Sequence, residues 1–330
     1  MANKLYTMRS GAKKYCLRGV QSLIINHNPY TQQQNFNDFN DVYALYMSGP
    51  THFPGEAFSC MDSLRILDVS GNKLITDSTF LYFEQLESLI MIGCNQISDQ
   101  AISHLKKVRK LDISGCLITN YAFLFLTKVQ ELSMSQCPNI TDSALKHLES
   151  IMSLYVSRCP QITDTGISLL PSNLETLDVR DCNRVTDASV SRLTNLKTLD
   201  ISVTNNISGK CFSNLKKLKS LSINSCSLIT DDVLINLSDL QSLYMDNCSQ
   251  ISNKAFVHLS NLTHLSMNDC YNITDEALFY TRKLRYLSIL NCSMRGDAFI
   301  DMNNLMHLEL SEGSNVNLKH LIPSCKISVW

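Results

Sequence analysis

Fourteen leucines, from Leu23, Leu45 and Leu67 to Leu287 and Leu308, stand at the same phase of a recurring phrase. The phrase starts at Val20, Val42, Leu64, Leu86, Val108, Val129, Ile151, Leu174, Leu196, Leu218, Leu240, Leu262, Leu284 and Leu305, in steps of 21 to 23 residues. A unit this short cannot bury its own apolar face. It must stack on its neighbours, and a chain of such units folds as a solenoid.

Counting from each start, offset 3 is leucine and offset 5 is apolar, as in Ile25, Val69, Ile113, Val179, Ile223 and Ile289, with polar residues between. This alternation predicts a short strand with one face on the core. Offset 8 holds Cys94, Cys116, Cys137, Cys159, Cys182, Cys226, Cys248, Cys270 and Cys292, with Asn28 and Asn72 in the early units. There the strand turns away and inward-facing carbonyls lose their ladder partners, so a small side-chain donor is needed. Ile97, Ile140 and Ile273 follow into the core. Thr141-Asp142 and Thr163-Asp164 are placed to cap a short outer helix, whose buried face is Ala144, Leu145 and Leu148 in one unit.

The stretch LETLDVRDCNRVTDASVSRL resembles a leucine-rich repeat of the cysteine-containing class, closely over residues 64–310 and loosely over 20–63. The resemblance implies an α/β fold: a curved leucine-rich-repeat solenoid with a concave parallel β-sheet and short convex helices. It sets the expected organisation as a basic segment or cap at 1–19, degenerate repeats at 20–63, regular repeats at 64–304, and a terminal repeat and cap at 305–330. The class is best known from F-box/LRR substrate receptors of ubiquitin ligases, which extends the expectation to target recognition in ubiquitin signalling. Residues 1–41 lack the Leu-Pro start and helical pattern of an F-box, so ligase subunits enter only indirectly.

The charge balance, 29 basic against 30 acidic residues, supplies no global field for nucleic acid or an anionic membrane. No apolar stretch has the ~18 residues of a membrane span or the core of an export signal, so the expected location is cytoplasmic or nuclear. Lys4, Arg9, Lys13, Lys14 and Arg18 make the first segment basic, and it reads as a solvated end. The thirteen cysteines, odd in number in a large chain, read as reduced. Their column does not converge as tetrahedral metal ligands must, and His104, His147 and His258 fall in separated units. No nucleophile elbow or phosphate loop is present, so neither cofactor nor catalysis is expected. MRGD at 294–297 reads as a turn of the repeat, and the sequons at Asn139, Asn206, Asn236, Asn247, Asn261, Asn272 and Asn291 read mostly as products of its own Asn-Ile-Thr spelling.

Function is then expected on the concave face, roughly 60 Å long for fourteen strands at ~4.8 Å spacing. That extent suits a protein partner better than a small molecule. The candidate contacts are Tyr155, Asp178, Asp200 and Tyr244 at offset 4, Arg180 and Asp246 at offset 6, and Arg158 and Asp269 at offset 7. Arg158 is expected to pair with Asp181. Asp178 and Asp200 are like charges on neighbouring strands, which suggests a partner with a basic surface. His264, Tyr286 and His307 share offset 2 in consecutive units and are expected to form one ladder. The leading expectation is an interaction scaffold. Its alternatives are an inhibitor or decoy that occludes a partner, and an unrecognised hydrolase.

Overall fold

The computed structural model describes residues 5–8, 21–25, 39–47, 49 and 55–330. The chain forms two compact units, Met1–Gln161 with Leu169–Pro171, and Ile162–Ser168 with Ser172–Trp330. The strands of the first are β1 (Leu5–Met8), β2 (Ser22–Ile25), β3 (Ala44–Tyr46), β4 (Ile66–Asp68), β5 (Ser88–Ile90), β6 (Lys110–Asp112), β7 (Glu131–Ser133) and β8 (Ser153–Tyr155). Those of the second are β9 (Thr176–Asp178), β10 (Thr198–Asp200), β11 (Ser220–Ser222), β12 (Ser242–Tyr244), β13 (His264–Ser266), β14 (Tyr286–Ser288), β15 (His307–Leu310) and β16 (Lys326–Val329).

Within each unit consecutive strands pair in parallel, and the repeat fixes their register. Leu67 stands beside Leu89 and Leu111 beside Leu132 in the first unit; Leu199 stands beside Leu221 and Leu265 beside Leu287 in the second. These leucines are fully buried or nearly so. Each contributes about 1.5–3 kcal/mol of transfer free energy, so a one-residue slip would expose an entire column. Two strands lie outside the fourteen expected units. β1 comes from the basic first segment, whose five cations lie outside the described residues, and β16 puts Ile327 where the other units have leucine.

The cysteine column acts as expected, and its acceptor is the preceding unit. Cys116 Sγ donates to the Met91 carbonyl at 3.1 Å, Cys137 to Ile113 at 3.1 Å, Cys248 to Ile223 at 3.1 Å and Cys270 to Met245 at 3.2 Å. Each acceptor is the offset-5 residue of the repeat before. Burial pushes the thiols up, Cys116 to about 11 and Cys137 and Cys248 to about 12, which keeps them protonated donors. The twelve cysteines among the described residues are all free.

Immediately before this column the backbone is left-handed. The first unit meets that demand with Gly71, Gly93 and Gly115 (φ 66° to 68°), then with Gln136 and Arg158; the second uses Asp181, Val203, Ser225, Asn247, Asp269 and Asn291 (φ 55° to 60°). The conformation persists because the N–H here still reaches the next repeat, as from Gly93 to the Ser114 carbonyl and from Asn247 to that of Asn268, both at 2.8 Å.

The outer segments are only one or two turns long, and their type follows one core position. Where it is Phe58, Phe80, Phe123, Phe212, Phe256 or Phe299 the turn is a 3-10 helix; where it is Ile102, Leu145, Ile167, Val190, Leu234 or Leu278 it is α-helical. A 3-10 turn rises ~2.0 Å per residue against ~1.5 Å, giving a longer span of backbone over the larger ring. Ala144, Leu145 and Leu148 are buried as anticipated.

The Thr-Asp pair caps its own helix in some repeats, as where Thr186 Oγ1 accepts from Ala188 N at 3.2 Å. Thr163 likewise accepts from Thr165 N at 3.2 Å, but Thr141 makes no such cap. The aspartate clasps the next repeat. Asp164 accepts from Thr186 N at 2.8 Å and Thr186 Oγ1 at 2.7 Å, and Asp231 likewise from Ser252 N at 2.8 Å and Oγ at 2.7 Å. Asn253 does the same for Thr274 N at 3.0 Å. Sequon asparagines are similarly occupied, Asn272 Nδ2 donating to the Ser249 carbonyl at 2.7 Å and Asn261 Nδ2 to that of Ser238 at 3.0 Å.

Candidate functional site

Strand alternation puts offsets 2, 4 and 6 on the open face of each sheet, and most of those side chains are engaged with one another. Past the three-residue strand, the offset-6 N–H needs an acceptor. Asp68, Asp112, Asp178 and Asp200 supply it within their own repeat, to Ser70, Ser114, Arg180 and Ser202 at 2.8 to 2.9 Å. In the second unit a relay takes over. Asn224 Oδ1 accepts from Asp246 N at 2.8 Å, Asp246 Oδ1 from Asn268 N at 2.9 Å, and Asn268 Oδ1 from Leu290 N at 2.7 Å.

This network changes the reading of the acidic stripe. Arg180 lies between the two like charges, with Nη2 3.0 Å from Asp178 Oδ2 and Nε 3.6 Å from Asp200 Oδ2. The chain therefore carries its own cation for the pair, and these carboxylates give no separate argument for a basic partner. Burial raises the Asp200 carboxyl above its ordinary value, against the hydrogen bond from Ser202. Asp269 is engaged by Tyr271 Oη at 3.3 Å and Asn291 Nδ2 at 3.0 Å. Tyr155, half-buried beside Ser133, and exposed Arg158 belong to the first unit, whereas Asp181 belongs to the second.

The ring ladder is present. His264 and Tyr286 stack with centroids 6.2 Å apart and planes at 24°, and Tyr286 and His307 at 5.5 Å and 8°. Register makes this inevitable, because these residues face one another on β13, β14 and β15. Tyr244 stands on the adjoining β12 opposite Ser266 and is 37% exposed, the greatest exposure among the open-face tyrosines of this unit. Polar groups hold the ends: Thr263 Oγ1 lies 3.0 Å from His264 Nδ1, and His307 Nε2 lies 3.4 Å from Glu309 Oε1 and 3.3 Å from Ser328 Oγ. Burial, then the Glu309 carboxylate, push the Tyr286 phenol to about 12, so it remains neutral. Sequence places Glu309 on the open face at offset 4 but not among the candidate contacts, and Ser328 lies on the unforeseen β16.

The arrangement offers a ridge of stacked rings, and on the same face Asp246 accepts from Ser266 Oγ at 2.6 Å. Among the described residues no three His, Cys, Asp or Glu side chains are grouped to hold a metal, and no helix is long and apolar enough to cross a membrane. In MRGD, Gly296 has φ 91°, donates its N–H to Asp275 Oδ1 at 2.7 Å, and would place a Cβ 2.4 Å from the Asn317 carbonyl. The glycine is required by the turn.

Comparison with known proteins agrees with this architecture. A model of the BspA type leucine rich repeat region, in six copies, matches residues 51–167 and 183–306, and a second leucine rich repeat model matches 171–194. No curated protein shows significant sequence similarity. The chain is similar in structure to an internalin, InlF, of Listeria monocytogenes (TM-score 0.63, 22% identity, 89% of this chain and 88% of that one). It is similar to a leucine-rich-repeat protein of Leptospira interrogans (0.62, 19%, 94% and 90%) and to a chain of the yeast Rad7–Elc1 complex (0.53, 16%, 83% and 86%). At these identities the likeness is one of fold.

Proposed function

The chain belongs to the BspA-type leucine-rich-repeat family, and from that premise we propose that it is a non-enzymatic scaffold that binds a protein partner on the open face of its second unit. The supporting observation is the stacked series His264, Tyr286 and His307 with exposed Tyr244 beside it. Tyrosines are enriched at binding hot spots, and an open ridge of rings suits a protein surface rather than an enclosed ligand. Where the neighbouring serines, asparagines and aspartates bond to each other, the upper faces of these rings remain to be covered. The yeast chain of similar fold was crystallised in a complex of two proteins, Rad7 and Elc1.

Affinity capture with the intact chain and its Tyr286→Ala variant tests the proposal. Truncation should cost more than ~1 kcal/mol of affinity with little change in melting temperature. Undiminished binding by the folded variant would return the ladder to a structural role. The identity of the captured protein separates narrower readings: a ligase core favours target recognition in ubiquitin signalling, as the likeness to F-box/LRR receptors implied, and one stoichiometric enzyme favours inhibition or decoy. Turnover by the purified chain would favour a hydrolase.

A further inference from the structure

Along the edge that precedes the strands, cations face carboxylates on adjacent repeats. Arg65 lies 3.8 Å from Glu87, Lys110 2.8 Å from Glu131, Lys197 2.7 Å from Glu175, and Lys219 3.1 Å from Asp239. Not every edge cation among the described residues has such a partner: Lys283 and Arg285 of the second unit form no ion pair, and the first unit gathers a larger group. Lys106, Lys107, Arg109 and Lys128 of the first unit line a single open recess of about 440 Å³. Among the described residues none of the four pairs with a carboxylate. Lys107 Nζ reaches only the neutral Gln85 Oε1 at 2.6 Å, and Lys106 Nζ the Ser103 carbonyl at 2.8 Å. Glu87 also borders the recess, but is the partner of Arg65.

Four like charges gathered in one concavity repel one another, and a chain of net charge −1 has acids enough to balance them. We infer that this recess binds an acidic polypeptide segment, with glutamate or aspartate side chains supplying the carboxylates that the adjacent repeats withhold. A polypeptide fits better than other polyanions for two reasons. No aromatic ring lines the recess, so single-stranded nucleic acid finds no surface for base stacking. Beside it Met152, whose N–H bonds to the Gln130 carbonyl at 2.8 Å, is 38% exposed and offers an apolar anchor for a neighbouring side chain. The site is independent of the ring ladder, which lies in the other unit.

Fluorescence anisotropy with a labelled octaglutamate peptide and the intact protein tests the inference. The peptide should bind, its octaglutamine counterpart should not, and affinity should fall as salt rises from about 50 to about 300 mM. Arg109→Gln with Lys128→Gln should weaken binding roughly tenfold, the scale of two modest ion-pair contributions. Glu87→Gln should tighten it, and Lys110→Gln, removing a cation that already has a partner, should leave it unchanged. Equal binding of both peptides, wild-type affinity in the Arg109→Gln/Lys128→Gln protein, or stronger binding of a single-stranded oligonucleotide or a sulfated polysaccharide than of octaglutamate would each overturn it.

Discussion

Raising the pH from 7 to 10 should destabilise this protein through thiols that never meet solvent. Cys116, Cys137 and Cys248 are at most 1% exposed, and burial lifts them from 9.0 to about 11, about 12 and about 12. A raised folded-state value means the folded chain holds the proton more tightly than the unfolded chain. Stability is therefore complete below pH 9 and is lost as pH climbs toward the folded values. At pH 10 each thiol is ionised in the unfolded chain and protonated in the folded one, which costs about 1.4 kcal/mol of stability apiece. The three together cost roughly 4 kcal/mol, a large share of the ~5–15 kcal/mol typical of a folded domain. Urea midpoints in reducing buffer at pH 7, 9 and 10 would measure the loss. A control in which all three are alanine should be less stable at pH 7, because the Met91, Ile113 and Ile223 carbonyls lose their donors, yet should show a flatter pH profile. The reasoning fails if wild-type stability at pH 10 stays within about 1 kcal/mol of its pH 7 value, a margin smaller than one thiol's share, or if a thiol reagent labels the column in the native protein at a free thiol's rate.

Two further outcomes follow from particular contacts. Asp187 accepts from Ser208 N at 2.7 Å, Ser208 Oγ at 2.9 Å and Cys211 N at 3.0 Å. Burial would raise its carboxyl, but these hydrogen bonds outweigh it and hold it below its ordinary value. Asp187→Asn has one acceptor oxygen instead of two and should cost about 1–3 kcal/mol in a denaturant melt. The wild-type advantage should disappear as pH falls below about 4, through the lowered folded value. Val203, β-branched and at φ 60°, is 45% exposed, so little packing is lost on removing it. Val203→Gly trades ~1–2 kcal/mol of left-handed strain for ~0.5–1 kcal/mol of backbone entropy and should raise the melting temperature slightly. An unchanged or lower value would show that the side chain contributes more than its exposure implies.

The architecture was legible because one constraint, stacking, acts on every repeat, so leucine, cysteine and the apolar offset-5 residue each recur in phase. The ring ladder was legible for the same reason: equal offsets become neighbouring positions. Direction was harder to read. A Thr-Asp pair can cap its own helix or clasp the next repeat, and spacing is the same in both cases, so Asp164 could not be assigned to Thr186 beforehand. Arg180 posed a related difficulty, since its reach to Asp178 and Asp200 depends on a side-chain course that alternation leaves open. β16 was hidden because Ile327 stands in the leucine slot and no column cysteine introduces it. The Arg109 recess needed still more, namely which carboxylates elsewhere already had partners.

The clasp from one repeat to the next also bears on how such a chain can change length. Excising Leu196–Lys217 would bring Asp187 before Thr230, as it now stands before Ser208, and would set Cys226 beneath the Val179 carbonyl in place of that of Ile201. Each cut end finds an acceptor and a donor of the kind it lost. Gain or loss of one whole repeat thus joins matching surfaces, whereas removal of half a repeat would leave a carboxylate, a thiol and a carbonyl stranded at once. The same contacts that lock the register make the repeat the natural quantum of this protein's evolution.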